Sequence, residues 1–423
     1  MSLALGIDIG TSGVRSAVLE DGTLVAEARA AHPPQDPARI DASGWWTAVA
    51  QCLHAQVTAL RDAGRDPMGI TGIAVDGTSG SMVLTDAALA PVSPALMYNS
   101  KGFDAEAAQI AALVDGDHIT KGANSALARA MRLLRQASGR PAHLLHQADF
   151  VAAKLMGCGG HSDYNNALKT GFDPETEAWP SWISAVIDPA LLPQIHGPGA
   201  PVAPIAPEMA ATFGLSPDVM IHAGTTDSIA AFLACTPEMR PGTAVTSLGS
   251  TLAIKILSTA RIDDPGIGLY SHRLGDMWLI GGASNTGGAV LAAHFSGDEI
   301  ARLSAAMDPA TPTGLDYYPL KEPGERFPIN DPTLAPRLAP RPDSDALFLQ
   351  GMFEGIARIE ATCYAEIQAR GGDAPQQIFS AGGGAANPVF TQIRAQALGL
   401  QPSHAQMTEA AIGAARLAAS PTR

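Results

Sequence analysis

The stretch GIDIGTSGVRSAV, residues 6–18, alternates apolar and small residues up to Ile9, turns at Thr11-Ser12-Gly13, and resumes an apolar, β-branched run from Val14. That order predicts two strands joined by a polar hairpin tip. Asp8 falls on the first strand just before the tip, and Arg15 on the return strand. A tip of Gly, Thr and Ser presents backbone N–H groups and hydroxyls in a tight curve, which suits a phosphate, and a carboxylate beside it suits a hydrated Mg²⁺. Thr11, Ser12 and Arg15 are therefore candidates for contacts to phosphate, and Asp8 for a Mg²⁺ contact through water.

Working outward, the same strand, turn, strand order recurs in the second half. Residues 243–246 lead into Ser247-Leu248-Gly249-Ser250-Thr251 and then the apolar run 252–257. A second pair of segments also repeats: GITGIAVDGTSG (69–80) and QQIFSAGGGAANP (376–388) each carry a short strand into a glycine-rich bend. A long helical pattern precedes each, one opened by Ser43 and running from Trp45 to Leu60, the other opened by Asp343 or Ser344 and ending at Gly371-Gly372. Two duplicated α/β domains are the economical explanation. The proline-rich stretch 310–342 is expected to be an extended surface loop, and 201–207 an irregular one.

Composition bounds the function. The chain has 423 residues, 46% of them hydrophobic and 16% charged, enough apolar material for more than one core. With 27 basic and 41 acidic side chains its formal charge is −14, which opposes nucleic acid as a partner. No apolar run approaches the length of a membrane span, and Gly6, Asp8 and Gly10 interrupt any signal-like segment, so a cytoplasmic location without membrane attachment is expected. The four cysteines form no CxxC pair, and neither a disulfide framework nor a zinc knuckle is signalled. His143 and His146 would share a helix face, without the acidic or cysteine partners of a zinc site. The chain contains neither GxxxxGK[ST] nor GxGxxG, so a P-loop or Rossmann dinucleotide site is not expected.

Together with VTSLGSTLAI (245–254) and FSAGGGAANPVF (379–390), the opening hairpin resembles the two phosphate motifs and the adenosine motif of the actin, hexokinase and Hsp70 superfamily. Within it, HAGTTDSIAAF (222–232), QADFVAAKLMG (147–157), SDYNNALKTGFDPE (162–175) and TEAAIGAARLA (408–418) are similar to the FGGY carbohydrate kinases over nearly the whole chain. The resemblance implies two RNase H-like (actin-like ATPase) α/β domains with ATP and sugar meeting in a cleft. These are expected at 1–236, joined by a C-terminal helix over 405–423, and at 237–404.

It further implies phosphoryl transfer from ATP with Mg²⁺ to a sugar hydroxyl. Asp227 stands where the family has its catalytic base; taken alone, an Asp at this spot reads first as a cap for the helix that follows. Gly249, Ser250 and Thr251 correspond to the second phosphate tip, and Gly383, Gly384 and Asn387 to the adenosine bend. Thr78, Ser79, Asn99 and Asp227 are the expected sugar contacts.

Here the sequence departs from the xylulokinase-type pattern. Asp76-Gly77-Thr78-Ser79 replaces a loop that usually carries Gln and His, and Asn99-Ser100-Lys101-Gly102 replaces Asn-Asp-x-Arg. The DGTSG loop is similar to the short subgroup that resembles D-ribulose kinases. A ketopentose is the expected partner, D-ribulose first, giving the 5-phosphate, with D-xylulose or another sugar or polyol as the alternative. A catalytically weak sensor of sugar and nucleotide is the alternative from another class, and a homodimer is compatible with the chain.

Overall fold

A computed structural model describes residues 2–419, which divide into two compact units: 2–234 with 407–419, and Cys235–Gln406.

The first unit is built on a six-stranded sheet whose order is 23–31, 13–20, 3–9, 70–77, 220–226, 201–204. Leu3–Ile9 and Gly13–Glu20 are the hairpin expected from the turn chemistry, with Asp8 directly across from Arg15. Ile70–Gly77 lies parallel to Leu3–Ile9 on its other side, and Met220–Thr226 parallel to that. Alternation along the strand sends Leu3, Leu5, Ile7 and Ile9 to one face, where they meet Trp45, Val49, Cys52 and Leu53 of the helix Ser43–Asp62.

The opposite face carries Gly6 and Asp8, and the helix Ala410–Ala418 packs on it so closely that a Cβ at Gly6 would lie 1.9 Å from the Ala411 carbonyl oxygen. Residues 420–423 of the expected C-terminal helix lie outside those described.

The second unit repeats the plan. Its sheet order is 270–274, 277–284, 252–258, 243–248, 377–381, 403–404, with Thr243–Leu248 antiparallel to Leu252–Ser258 and parallel to Gln377–Ala381. The crossover helix is Asp345–Ala369, whose Phe353, Ile356, Ile359, Cys363 and Ile367 are buried. Ser344 caps it, accepting the Leu347 N–H.

Four expectations need correction. Ser43 does not cap its helix: the helix begins at Ser43 itself, and the Asp41 carboxylate takes the Ser43 N–H. Pro201–Pro204 is a strand, tolerated because it lies on the sheet edge where a missing N–H costs no ladder bond. His143 and His146 lie on a strand, Met82 pairing with His146, and therefore share no helix face. The proline-rich stretch is irregular as expected but is more than a surface feature, since Tyr317, Leu320 and Phe327 are buried in the second unit's core and Glu325 is buried beside it. Apolar side chains spaced between prolines anchor an irregular strap that its backbone alone would leave loose.

Among the described residues no helix is long and apolar enough to cross a membrane.

Candidate functional site

In the first unit the chemistry gathers at the carboxyl ends of three neighbouring parallel strands, where α/β sheets commonly bind ligands. Asp8 is in register with Asp76 on the next strand, and Asp76 with Thr225 on the strand after it; Asp227 follows that strand as the first residue of the helix Asp227–Cys235. A hollow of about 390 Å³ here is lined by Asp8, Gly10, Thr11, Arg15, Thr78, Asp227 and Glu409 among others. Asp8, Thr11, Arg15, Thr78 and Asp227, five of the residues singled out in the sequence, thus share one concavity.

Within it, Arg15 Nη1 donates to Asp8 Oδ2 at 2.9 Å, and Arg15 Nε lies 3.6 Å from Glu409 Oε2. Asp8 is buried; burial raises its carboxyl above the ordinary range, and Arg15 opposes the rise. The Ser228 N–H donates to Asp227 Oδ1 at 2.6 Å, so the base candidate also receives the N-terminal end of its own helix. Thr11 and Ser12 are exposed at the tip, which His32 steadies through a hydrogen bond from Nε2 to the Gly10 carbonyl at 2.9 Å.

The expected sugar residues are placed differently from one another. Thr78 is buried, its hydroxyl hydrogen-bonded with Ser81 Oγ at 2.6 Å and donating to Gln147 Oε1 at 2.7 Å, so it builds the loop as well as lining the hollow. Ser79 is half-buried in the same loop, and Asn99 is exposed on the separate segment that follows Met97.

Asp76 and Glu409 were not recognised as site residues from sequence. Asp76 is fully buried, no N–H or hydroxyl among the described residues donates to its carboxyl, and its one hydrogen-bonding neighbour is the Asp8 carboxylate, to which it donates when it carries its proton. Burial, then the charges of Asp8 and Asp227, hold its carboxyl well above the usual range. A buried acid whose only partner is another acid is costly to ionise, and such perturbed groups concentrate at functional sites. Its position in the DGTSG loop was visible, but its adjacency to Asp8 arises from pairing between strands far apart in the chain.

The second unit carries the nucleotide candidates. Gly249, Ser250 and Thr251 form the tip between two strands, and the N–H groups of Gly288 and Ala289 donate to the Gly249 and Ser250 carbonyls at 2.9 and 3.0 Å. The glycine bend lies against it: a Cβ at Gly382, where φ is +84°, would sit 2.7 Å from the Leu248 carbonyl oxygen. Beside the bend is a largely apolar cavity of about 530 Å³ lined by Gly383, Gly384, Asn387, Leu291, Ile300 and Phe353 among others. A flat aromatic ring is the shape such a cavity accepts.

The Asn387 side chain is engaged within the protein, Oδ1 capping the helix Pro388–Leu398 through the Phe390 N–H at 3.0 Å and Nδ2 donating to Ser304 Oγ at 2.8 Å. No group of three or more His, Cys, Asp or Glu among the described residues is placed to cage a metal. Asp8 is a single carboxylate donor, which fits a Mg²⁺ that keeps most of its waters and takes its other ligands from phosphate.

Comparison with known proteins bears on this arrangement. The model of the FGGY carbohydrate kinase N-terminal domain matches residues 3–234, and that of the C-terminal domain residues 245–421. Xylulose kinase of Streptomyces coelicolor is 28% identical over 290 residues, 62% of this chain and 56% of that protein, so the match spans little more than half of the relative's length.

Among solved structures, a xyloylose kinase from Brucella ovis superposes with a TM-score of 0.85 over 99% of this chain and 90% of that one at 21% identity. A xylulose kinase from Rhodospirillum rubrum gives 0.82 over 99% and 89% at 23%. At those identities the superpositions establish the fold. With both domain models matched in order along the sequence, the chain belongs to the FGGY family of carbohydrate kinases.

Proposed function

We propose that the chain transfers the γ-phosphoryl group of ATP to the terminal hydroxyl of a ketopentose, giving the 5-phosphate. The observation that carries this reading is the single hollow shared by Asp8, Arg15 and Asp227. Phosphoryl transfer asks a protein for alignment, charge neutralisation and a group to accept the hydroxyl proton, and little covalent chemistry. Asp227 accepts that proton. Asp8 would hold Mg²⁺ through water, and the ion would supply charge neutralisation at the phosphates. Thr11, Ser12 and Arg15 are the first unit's contacts to phosphate, and Gly249, Ser250 and Thr251 are the second unit's. The cavity at Gly383, Gly384 and Asn387 takes the adenosine. Thr78, Ser79 and Asn99 lie on the segments that meet the sugar.

Two observations bear on which sugar. The relatives bear the name xylulose kinase, which supports D-xylulose over the D-ribulose placed first by the loop sequence. The Asp76-Gly77-Thr78-Ser79 loop supports D-ribulose as the second reading.

A coupled ADP-release assay over ketopentoses, ketohexoses and polyols decides. The expected result is the highest kcat/KM on one of these two ketopentoses; absence of turnover on every sugar would overturn the assignment.

A further inference from the structure

The segments assigned to the sugar are held from beneath by a residue that no motif marks. Arg129 lies on the helix Ala126–Gln136 and is buried. Its Nε donates to the Gly80 carbonyl at 2.9 Å, and its Nη1 donates to the carbonyls of Tyr98 and Asn124, each at 2.9 Å. One guanidinium therefore ties the end of the 78–80 loop to the start of the Asn99 segment. One turn further along the helix, Arg132 Nη2 donates to the Gly102 carbonyl at 3.1 Å, fixing the other end of that segment.

This is an unusual use of a buried charge. Buried arginines are normally paired with carboxylates, whereas among the described residues Arg129 donates only to main-chain carbonyls. Burial accordingly lowers its pKa to about 10, leaving it charged at neutral pH. A planar guanidinium donates in several fixed directions, which a lysine ammonium cannot reproduce. Its hydrogen bonds to three carbonyls offset part of the cost of burying it and hold three backbone segments in one arrangement.

We infer that Arg129 is a positioning residue for sugar binding: it sets the distance between the 78–80 loop and the Asn99 segment, and acts on the sugar only through them. The inference rests on the assignment of those segments to the sugar. It also accounts for the departure at 99–102, where Ser100 and Gly102 stand in place of Asp and Arg, since a segment without that pair takes its shape from a neighbouring helix.

The test compares the full chain with Arg129→Met and Arg129→Lys in steady-state kinetics and in amide hydrogen exchange. In Arg129→Met the KM for the ketopentose is expected to rise about tenfold or more while the KM for ATP and kcat move by less than about threefold. Arg129→Lys should recover only part of the loss. Exchange should accelerate in residues 78–82 and 97–102 together and not in the second unit. A folded Arg129→Met with unchanged sugar KM, a loss confined to kcat, or full recovery by lysine would overturn the inference. Should Arg129→Met fail to fold, the lysine variant decides by the same KM and exchange criteria. Wild-type protein that turns over no sugar would sink the functional assignment instead, and unchanged exchange in both loops would then sink this one independently.

Discussion

Asp8 and Ser247 occupy the same place in the two units: each stands two residues before the glycine of its tip, on the strand that starts the sheet. Their neighbours differ in kind. Asp8 is flanked in register by Arg15 and Asp76, Ser247 by Ala253 and Ala381. One scaffold therefore carries a charged cluster in the first unit and a small, neutral row in the second, where the adjoining cavity is apolar. The difference teaches that topology supplies the location, at the carboxyl ends of the strands, while the residues in the register row decide whether it handles charge or a ring. The second unit keeps its own charge one layer down, where Arg394 and Glu360 form a fully buried pair that reaches Thr246 and Ser380 beneath the two turns.

The comparison can be broken most severely at that buried pair. Glu360→Gln leaves Arg394 without a counter-charge and should cost about 3–5 kcal/mol, read by denaturant unfolding of the second unit. Replacing both residues by apolar ones should recover most of it, and no recovery would mean that the pair does more than balance itself.

Next in size, Asp8→Asn makes the first unit's row nearer to neutral. It should lower kcat about 10²-fold and weaken the Mg²⁺ dependence of nucleotide binding, checked by titration with and without the ion. A third change acts on the glycine bend: Gly382→Ala forces a Cβ against the Leu248 carbonyl at positive φ. It should cost about 1–3 kcal/mol and raise the KM for ATP while sparing that for sugar.

The smallest effect concerns pH. His146 is buried in the first unit, and burial, assisted by Arg129, pushes its pKa down to about 3 from an ordinary 6.5. The folded state thus holds the neutral ring while the unfolded chain takes up a proton, so the stabilising contribution is present above the ordinary value and is lost as pH falls below it, by about 1.4 kcal/mol per pH unit. The buried acids Asp149 and Asp163, whose carboxyls are raised, work in the opposite sense: their contribution is present in acid and lost as pH rises through their folded values. His146→Gln should therefore gain on the wild type between pH 7.5 and 5.5 by about 2 kcal/mol or less in unfolding free energy. A stability difference independent of pH would contradict this.

What the sequence disclosed was what is local. Both hairpins, the glycine bend and the crossover helices follow from turn chemistry and apolar spacing, and the family resemblance tied them into two like units. What it concealed depends on pairing between distant segments. Asp76 becomes a neighbour of Asp8 only through parallel pairing across a helix, and Arg129 grips loops that precede it by 31 and 49 residues. The edge strand Pro201–Pro204 was hidden for a related reason, since proline argues against a strand unless the strand is known to lie on an edge. Thr78 and Asn387 show a further limit: a side chain able to reach a ligand can equally be spent on the loop that carries it.

The most direct measurement is the rate of ADP release by Asp227→Asn at saturating ATP and ketopentose, beside nucleotide binding by the same protein. A fall of about 10²–10⁴-fold with unchanged nucleotide affinity is expected if Asp227 accepts the hydroxyl proton. A rate within about threefold of the wild type would contradict it.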